Sequence, residues 1–303
     1  MGYNYTLKDL LERSERVTWR IEDLIGGDKT LDFTRPFMPE SLARTAALGF
    51  LSDREKIVLN QIREHAYLRI FGLVEEFILP FVLDQARSIL TGEDYRVRAY
   101  LEFAGEEAKH IHLFHRFTEA FNQGFGTSCE VIGPPEAVAK HVLSHHPLSV
   151  ALVILHIEWM TQRHFVDSVN GDARLDPCFK DLLKHHWMEE MQHAQLDTLM
   201  VEDLAMCMSP REIDAAIDGY WSIGRFLDEG LKTQVEFDAA AFERAIGRAL
   251  NTDERAQFIE VQRQANRWTY LGSGMSHPKF VEMMGKLSKD RQRALLDAVP
   301  TFS

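Results

Sequence analysis

Two stretches of this chain repeat one five-residue pattern, Glu-Glu-x-x-His, as Glu106-Glu107-Ala108-Lys109-His110 and as Glu189-Glu190-Met191-Gln192-His193. Each sits in a run whose apolar residues recur every three to four positions, the period of an α-helix. Residues three apart on a helix share a face, so Glu107 and His110 point the same way, as do Glu190 and His193. A single Glu-x-x-His is common by chance. Two on separate helices constrain the chain far more, because their acids can share one interior only if something compensates their charge.

Two further helical runs each carry a carboxylate on an otherwise apolar stripe. On one it is Glu158, with Ile154, Leu155 and Gln162 one turn away. On the other the choice lies between Glu75 and Glu76. Helical phase favours Glu75, which continues the stripe Leu68, Phe71, Ile78, Val82, whereas the stripe of Glu76 passes through His65, Arg69 and Gly72. Glu75 and Glu107 are 32 residues apart, and so are Glu158 and Glu190, which suggests two helix pairs related by a pseudo-twofold axis. A Glu from each of two helices plus a Glu-x-x-His from each of two others is the ligand set of di-iron and di-manganese carboxylate bundles. Carboxylates bridge two cations and balance their charge, and imidazole suits iron better than calcium or magnesium. Two iron ions are therefore the expected cofactor, with manganese or a mixed iron–manganese pair served by the same ligands. Taken singly, each of these residues would be an ordinary surface or core feature.

Ser52 to Glu55 has the form of a capping box and opens a long helix to about Leu90. Pro80 within it predicts a kink beside Glu76. A second helix is expected from about Glu93 to Asn122, a third over Pro147–Val169 and a fourth over Pro177–Met208, with Gln123–His146 an irregular crossover between the second and third. A short helix over Leu7–Leu24 and a turn at Gly26-Gly27-Asp28 precede the bundle. Further amphipathic helices follow it, broken near Asn251 and at Gly272-Ser273-Gly274. The fold class is thus all-α, a four-helix bundle with an N-terminal extension and additional C-terminal helices. Its parts are residues 1–50 as an extension packed on the bundle, 51–208 as the di-metal bundle and 209–303 as a helical appendix of the same domain.

A formal charge of −12 without a basic patch argues against nucleic-acid partners. The most apolar stretch, Leu148 to Ile157, is about half the length a bilayer span needs, so no membrane association is expected. Three widely spaced cysteines (Cys129, Cys178, Cys207) and a polar N-terminus without a signal sequence suggest a soluble cytoplasmic protein. Glu106 and Glu189, each preceding a ligand Glu, are candidate acceptors for the outer N–H of a metal-bound imidazole, and Asp197 is a third. Exposed glutamates would look the same in sequence. Phe71, Phe103, Ile154, Thr161 and Gln162 are candidate neighbours of a substrate cavity, though each also suits an ordinary core role.

One more residue sharpens the pattern. His186 lies four positions before Glu190, giving His-x-x-x-Glu-x-x-His along one face. With the order of the four ligand-bearing helices over roughly residues 60 to 200, this resembles the arylamine N-oxygenases of the p-aminobenzoate N-oxygenase type, members of the ferritin-like superfamily. The resemblance implies a ferritin-like bundle whose di-iron ligands are Glu75, Glu107, His110, Glu158, His186, Glu190 and His193. It also implies a non-haem oxygenase that uses O2 and an electron donor to oxidise a small organic substrate, with an arylamine as the model. Ferritin-like iron oxidation and storage is the competing use of such a site, and metal-stabilised structure a third. Length separates them, since a storage subunit needs neither residues 1–50 nor residues 209–303. Homodimerisation is a further expectation for a bundle with amphipathic additions.

Overall fold

The computed structural model describes residues 5–91 and 94–302. Helix α1 (Leu7–Ser14) is opened by Thr6, whose hydroxyl accepts from the Asp9 N–H. It ends ten residues short of the expected Leu24. Beyond Ser14 the chain meets Val17, Thr18 and Trp19, all poorer helix formers, and leaves the helix to lay the Trp19 ring over Lys109, with Nζ 4.1 Å from the ring centroid. The Gly26-Gly27-Asp28 turn is present: Gly26 and Gly27 take positive φ (103° and 61°), and Gly26 bridges to Lys29.

Helix α2 (Asp53–Ser88) begins at the expected capping box, with the Glu55 carboxylate accepting from the Ser52 N–H at 2.8 Å. It runs unbroken through Pro80. Helix α3 (Asp94–Phe125) pairs with α2 along its length; the expected start at Glu93 lies outside the described residues. The crossover is less irregular than its glycines and prolines suggest, because Pro135 opens a helix, α4 (Pro135–Leu143). Pro fits the first turn of a helix, where its missing N–H has no partner to lose. Helices α5 (Pro147–His164) and α6 (Pro177–Ala205) form the second pair. After α5 a single π-helical turn, Phe165–Val169, carries the chain to Asn170.

Helix α7 (Pro210–Ile246) packs across α2 and α5, and α8 (Thr252–Arg267) packs on α7. Arg63 of α2, 1% exposed, holds α7 and α8 to the bundle by facing Asp238 at 3.7 Å and donating to the Asn266 side chain. The break expected at Gly272-Ser273-Gly274 is not there. A π-helical turn (Trp268–Gly272) and a helical turn (Ser273–Met275) continue α8, and the chain turns only at Ser276-His277, before α9 (Pro278–Leu287) and α10 (Lys289–Ala298). Those glycines serve close approach instead. A Cβ on Gly274 would lie 2.2 Å from the His156 ring, and one on Gly272 2.8 Å from the Phe302 carbonyl oxygen.

The core is continuous through the bundle. Helix α5 is buried on every side from Leu148 to Leu155, with Ser149 its one polar residue there, because α6, α7 and the turn at Ser273–Met275 pack around it. Among the described residues there is no β-strand, no helix is long and apolar enough to cross a membrane, and all three cysteines are free. Gly274→Ala should destabilise the protein by about 1–3 kcal/mol through overpacking against His156. Gly49→Ala, with nothing within 4 Å of its Cβ position, should stay within about 0.5 kcal/mol. Urea unfolding of the two variants beside the parent checks both values.

Candidate metal centre

Four helices deliver the predicted side chains to one place. Glu75 comes from α2, Glu107 and His110 from α3, Glu158 from α5, and His186, Glu190 and His193 from α6. All seven are at most 2% exposed. Two overlapping groups each bring their ligand atoms within 4.8 Å of one another: Glu75, His110, His186 and Glu190, and then Glu107, His110, Glu190 and His193. His110 and Glu190 belong to both; Glu190 reaches both with its two oxygens, Oε1 toward His110 and His186 and Oε2 toward His193, whereas the single inward nitrogen of His110 can hold only one ion. Glu158 stands beside them, its carboxyl sharing a hydrogen bond with Glu190. The alternative first-helix acid, Glu76, faces away and lines a cavity.

Some of these atoms pair with one another, while others face the cluster without a hydrogen bond. His110 Nδ1 lies 3.1 Å from Glu190 Oε1 and 3.4 Å from Glu75 Oε2, yet is aligned for a hydrogen bond with neither. Both oxygens of Glu107 lack an aligned donor although His193 Nδ1 is 3.0 Å away, and Glu158 Oε2 is also unpartnered. His186 Nε2 meets Glu75 Oε1 at 3.0 Å and Glu190 Oε1 at 2.6 Å. Buried oxygens and nitrogens left unpaired are rare and expensive. Here they belong to a donor set of carboxylates and imidazoles suited to two divalent cations, so the residues present fit a metal pair.

Behind the cluster, Glu106 and Glu189 are buried rather than solvated, and they cross over. Glu106 of α3 accepts from Nε2 of His193 on α6 at 2.8 Å, and Glu189 of α6 accepts from Nε2 of His110 on α3 at 2.8 Å. Each carboxylate thus holds the proton on Nε2 of the opposite histidine and turns Nδ1 toward the cluster, where His193 Nδ1 meets Glu190 Oε2 at 2.9 Å. Asp197 does not join them: it is 1% exposed, and neither of its oxygens has a hydrogen-bond partner. Sequence reasoning passed over three supporting residues. Ser14 donates to Glu106 Oε1 at 2.6 Å, Lys109 pairs with Glu189, and Trp19 covers Lys109 and stacks parallel to His110 at 6.3 Å. Lys109 lies inside the first Glu-Glu-x-x-His stretch, but nothing in the spacing of Ser14 and Trp19 tied them to it.

Electrostatics follow from the crowding. Burial, then the charges of Glu75 and Glu190, pushes Glu107 well above the usual carboxylate range, and burial with Glu190 does the same to Glu158. Burial opposes charge on His110 and His193, but surrounding carboxylates outweigh it and raise both well above an ordinary imidazole. Against burial, His186 and His193 hold Glu190 well below the usual range. Protons thus stand in for cations when the metals are absent.

Beside the cluster lies a cavity of about 680 Å³, walled by apolar side chains of α2, α3, α5 and α7 and the 131–135 loop. Phe71 and Phe114 stand between it and His186, with their rings 5.9 and 5.2 Å from the imidazole at steep angles. Of the five candidate cavity neighbours, Phe71 alone lines it. Phe103 stacks on His193 at 4.1 Å, Ile154 is fully buried core, the Thr161 hydroxyl donates to the Ile157 carbonyl, and the Gln162 amide donates to the Trp187 carbonyl. Those four lie on the ligand helices in ordinary core roles, whereas α7 and the crossover, which complete the cavity, carry no ligand.

No protein-family profile matches the chain, and no curated protein is significantly similar to it in sequence. Among solved structures it is similar to a glycine-to-leucine variant of an R2-like ligand-binding oxidase with an aerobically reconstituted Fe/Fe cofactor. That match has 15% identity and a TM-score of 0.50, and covers 89% of this chain and 94% of the other. A valine-to-alanine variant with an anaerobically reconstituted Mn/Fe cofactor matches at 15% identity over 88% of this chain and 94% of that one, also with a TM-score of 0.50. Likeness at this identity establishes a shared fold, the helical bundle of those R2-like ligand-binding oxidases.

Two predictions follow from the site. His193→Ala and Glu107→Ala should each abolish stoichiometric binding of two metal ions; retention of two irons in either variant would remove the site. In metal-free protein, His110, His193, Glu107 and Glu158 bind protons more tightly folded than unfolded, so the acids' contribution to stability is lost as pH rises from about 4.3 and that of the imidazoles as it rises from about 6.5, and above the latter value stability falls with pH. Burial holds His164 at about 3 and His156 at about 4, so these act in the opposite direction, costing stability as pH falls below about 6.5. Urea midpoints at several pH values, with and without metal, check the slope and its disappearance once metal replaces the protons.

Proposed function

We propose that this chain is an O2-dependent di-metal oxidase that holds two iron ions, or manganese and iron, and oxidises a small organic molecule. The observation that carries this reading is the cluster itself: Glu75, Glu107, His110, Glu158, His186, Glu190 and His193 meet in a dry interior, several with oxygens and nitrogens that face the cluster without a hydrogen bond. When bound, such a pair supplies electrons to O2 and the oxidising power derived from it. The rest belongs to the protein. Glu106 and Glu189 keep the Nε2 protons in place, so His193 and His110 present a fixed nitrogen to each metal position. Phe71, Phe114 and the apolar wall exclude water from the His186 side.

The cavity is the place for the substrate. Its volume suits a drug-sized molecule, and its lining is predominantly apolar. Arg69, His115 and Glu229 line it and are exposed, so they mark the side that opens to solvent. This supports an apolar, ring-bearing substrate, with arylamine N-oxygenation as the specific reaction to test. A storage role needs no such chamber. Solved R2-like ligand-binding oxidases share the fold and carry Fe/Fe or Mn/Fe cofactors, which supports the choice of metals.

The test starts with elemental analysis of purified protein, followed by anaerobic Fe(II) loading and O2 uptake with a panel of arylamines. About two irons per chain and arylamine-dependent O2 consumption are expected. No bound metal and no O2 uptake after loading would overturn the reading. Gly224 lines the cavity and has nothing within 4 Å of its Cβ position, so Gly224→Trp should fill the chamber without strain. That variant should bind two metals normally and raise KM about tenfold or more, the cost of losing a hydrophobic pocket contact. An unchanged KM would place the substrate elsewhere.

A further inference from the structure

Residues 5–19 lie outside the bundle, yet they reach both carboxylates that stand behind the metal-facing histidines. The Ser14 hydroxyl, 6% exposed, donates to Glu106 Oε1 at 2.6 Å, while Glu106 Oε2 accepts from His193 Nε2 at 2.8 Å. On the other arm Glu189 accepts from His110 Nε2 at 2.8 Å and pairs with Lys109, whose ammonium lies under the Trp19 ring. Trp19 also lies parallel to the His110 ring and 5.8 Å from His185. Leu10 and Leu11 of the same helix are buried, and α1 packs on both α3 and α6.

We propose that this segment is a working part of the metal centre: Ser14 and Trp19 are positioning residues that set the affinity of the two metal positions separately, Ser14 through Glu106 and His193, and Trp19 through Lys109, Glu189 and His110. The inference rests on the di-metal reading above and adds a role for a segment that supplies no ligand. A carboxylate with a free rotamer holds an imidazole loosely, and loss of such a supporting contact costs on the order of 10–100-fold in metal affinity. The Ser14 bond removes that freedom from Glu106. The Lys109 ammonium does so for Glu189, and the Trp19 ring keeps the ammonium from swinging to solvent. Because each arm runs to a different histidine, loss of one should spare the other. Binding linkage is reciprocal, so a segment that tightens metal binding must itself be held more firmly once metal is bound.

The experiment titrates full-length, metal-free protein with Zn(II) by calorimetry, with the ring ¹⁵N resonances of His110 and His193 assigning each step. In parallel, hydrogen exchange follows residues 7–19 with and without Zn(II). In the parent two ions bind, and exchange in the segment slows when they do. Ser14→Ala should weaken the His193 step at least about tenfold, leave the His110 step within about twofold, and loosen the link between metal and exchange in α1. Ser14→Thr, which keeps the hydroxyl, should restore the affinity. Trp19→Leu should show the mirror pattern, weakening the His110 step. Equal loss at both steps in either variant would mean general destabilisation and overturn the assignment, as would exchange in 7–19 that ignores Zn(II). A parent that fails to bind two ions would sink the di-metal reading itself.

Discussion

Everything in this structure is arranged around one unfavourable act, the gathering of Glu75, Glu107, Glu158 and Glu190 with His110, His186 and His193 in a space closed to water. Two like charges about 4 Å apart repel by roughly 4 kcal/mol at an effective dielectric of 20. A handful of such pairs would consume the whole margin of about 5–15 kcal/mol by which proteins are stable. Without metal, the crowding favours protons on Glu107, Glu158, His110 and His193. A pair of divalent cations would replace those protons and satisfy the oxygens and nitrogens that no hydrogen bond reaches.

The supporting structure makes that act possible. Helix α5 is buried between α6, α7 and the turn at Ser273–Met275, which gives the site an apolar wall. Each Glu-Glu-x-x-His helix supplies the carboxylate that steadies the other helix's histidine, so α3 and α6 are locked in register by two buried hydrogen bonds. A slip of one residue on either helix would break both. On one side the N-terminal segment leans on those carboxylates. On another, Phe71 and Phe114 separate His186 from a large apolar chamber. The cluster is therefore flanked asymmetrically although its pattern is symmetric: α1 packs on one side and the cavity lies on another.

Errors in the sequence reading have a common physical origin. The capping boxes at Ser52 and the equal spacings of the four acids are local facts, and the helices form where they imply. Gly272 and Gly274 read as helix breakers, but their real task is close approach to Phe302 and His156, residues remote in the sequence. Glycine means the same thing to the local chain in both cases, and only the neighbour differs. Phe103, Thr161 and Gln162 lie on the ligand helices, and helical phase fixes the side of a helix but does not say whether packing or empty space lies there.

By itself, then, the sequence determined the helical class, the four ligand helices and, for the two Glu-Glu-x-x-His helices, the face turned inward, because periodicity, caps and i, i+3 spacing act within a few residues of the chain. It left open whether Glu75 or Glu76 joins the cluster; the tertiary structure turns Glu75 to His110 and His186 and leaves Glu76 on the cavity wall. Tertiary structure alone also decided the crossed pairing of Glu106 with His193 and Glu189 with His110, the contact of Ser14 with Glu106 across 92 residues of chain, and the cavity completed by α7. Those features depend on which surfaces meet when the helices pack, and no local pattern in the chain encodes a meeting of that kind.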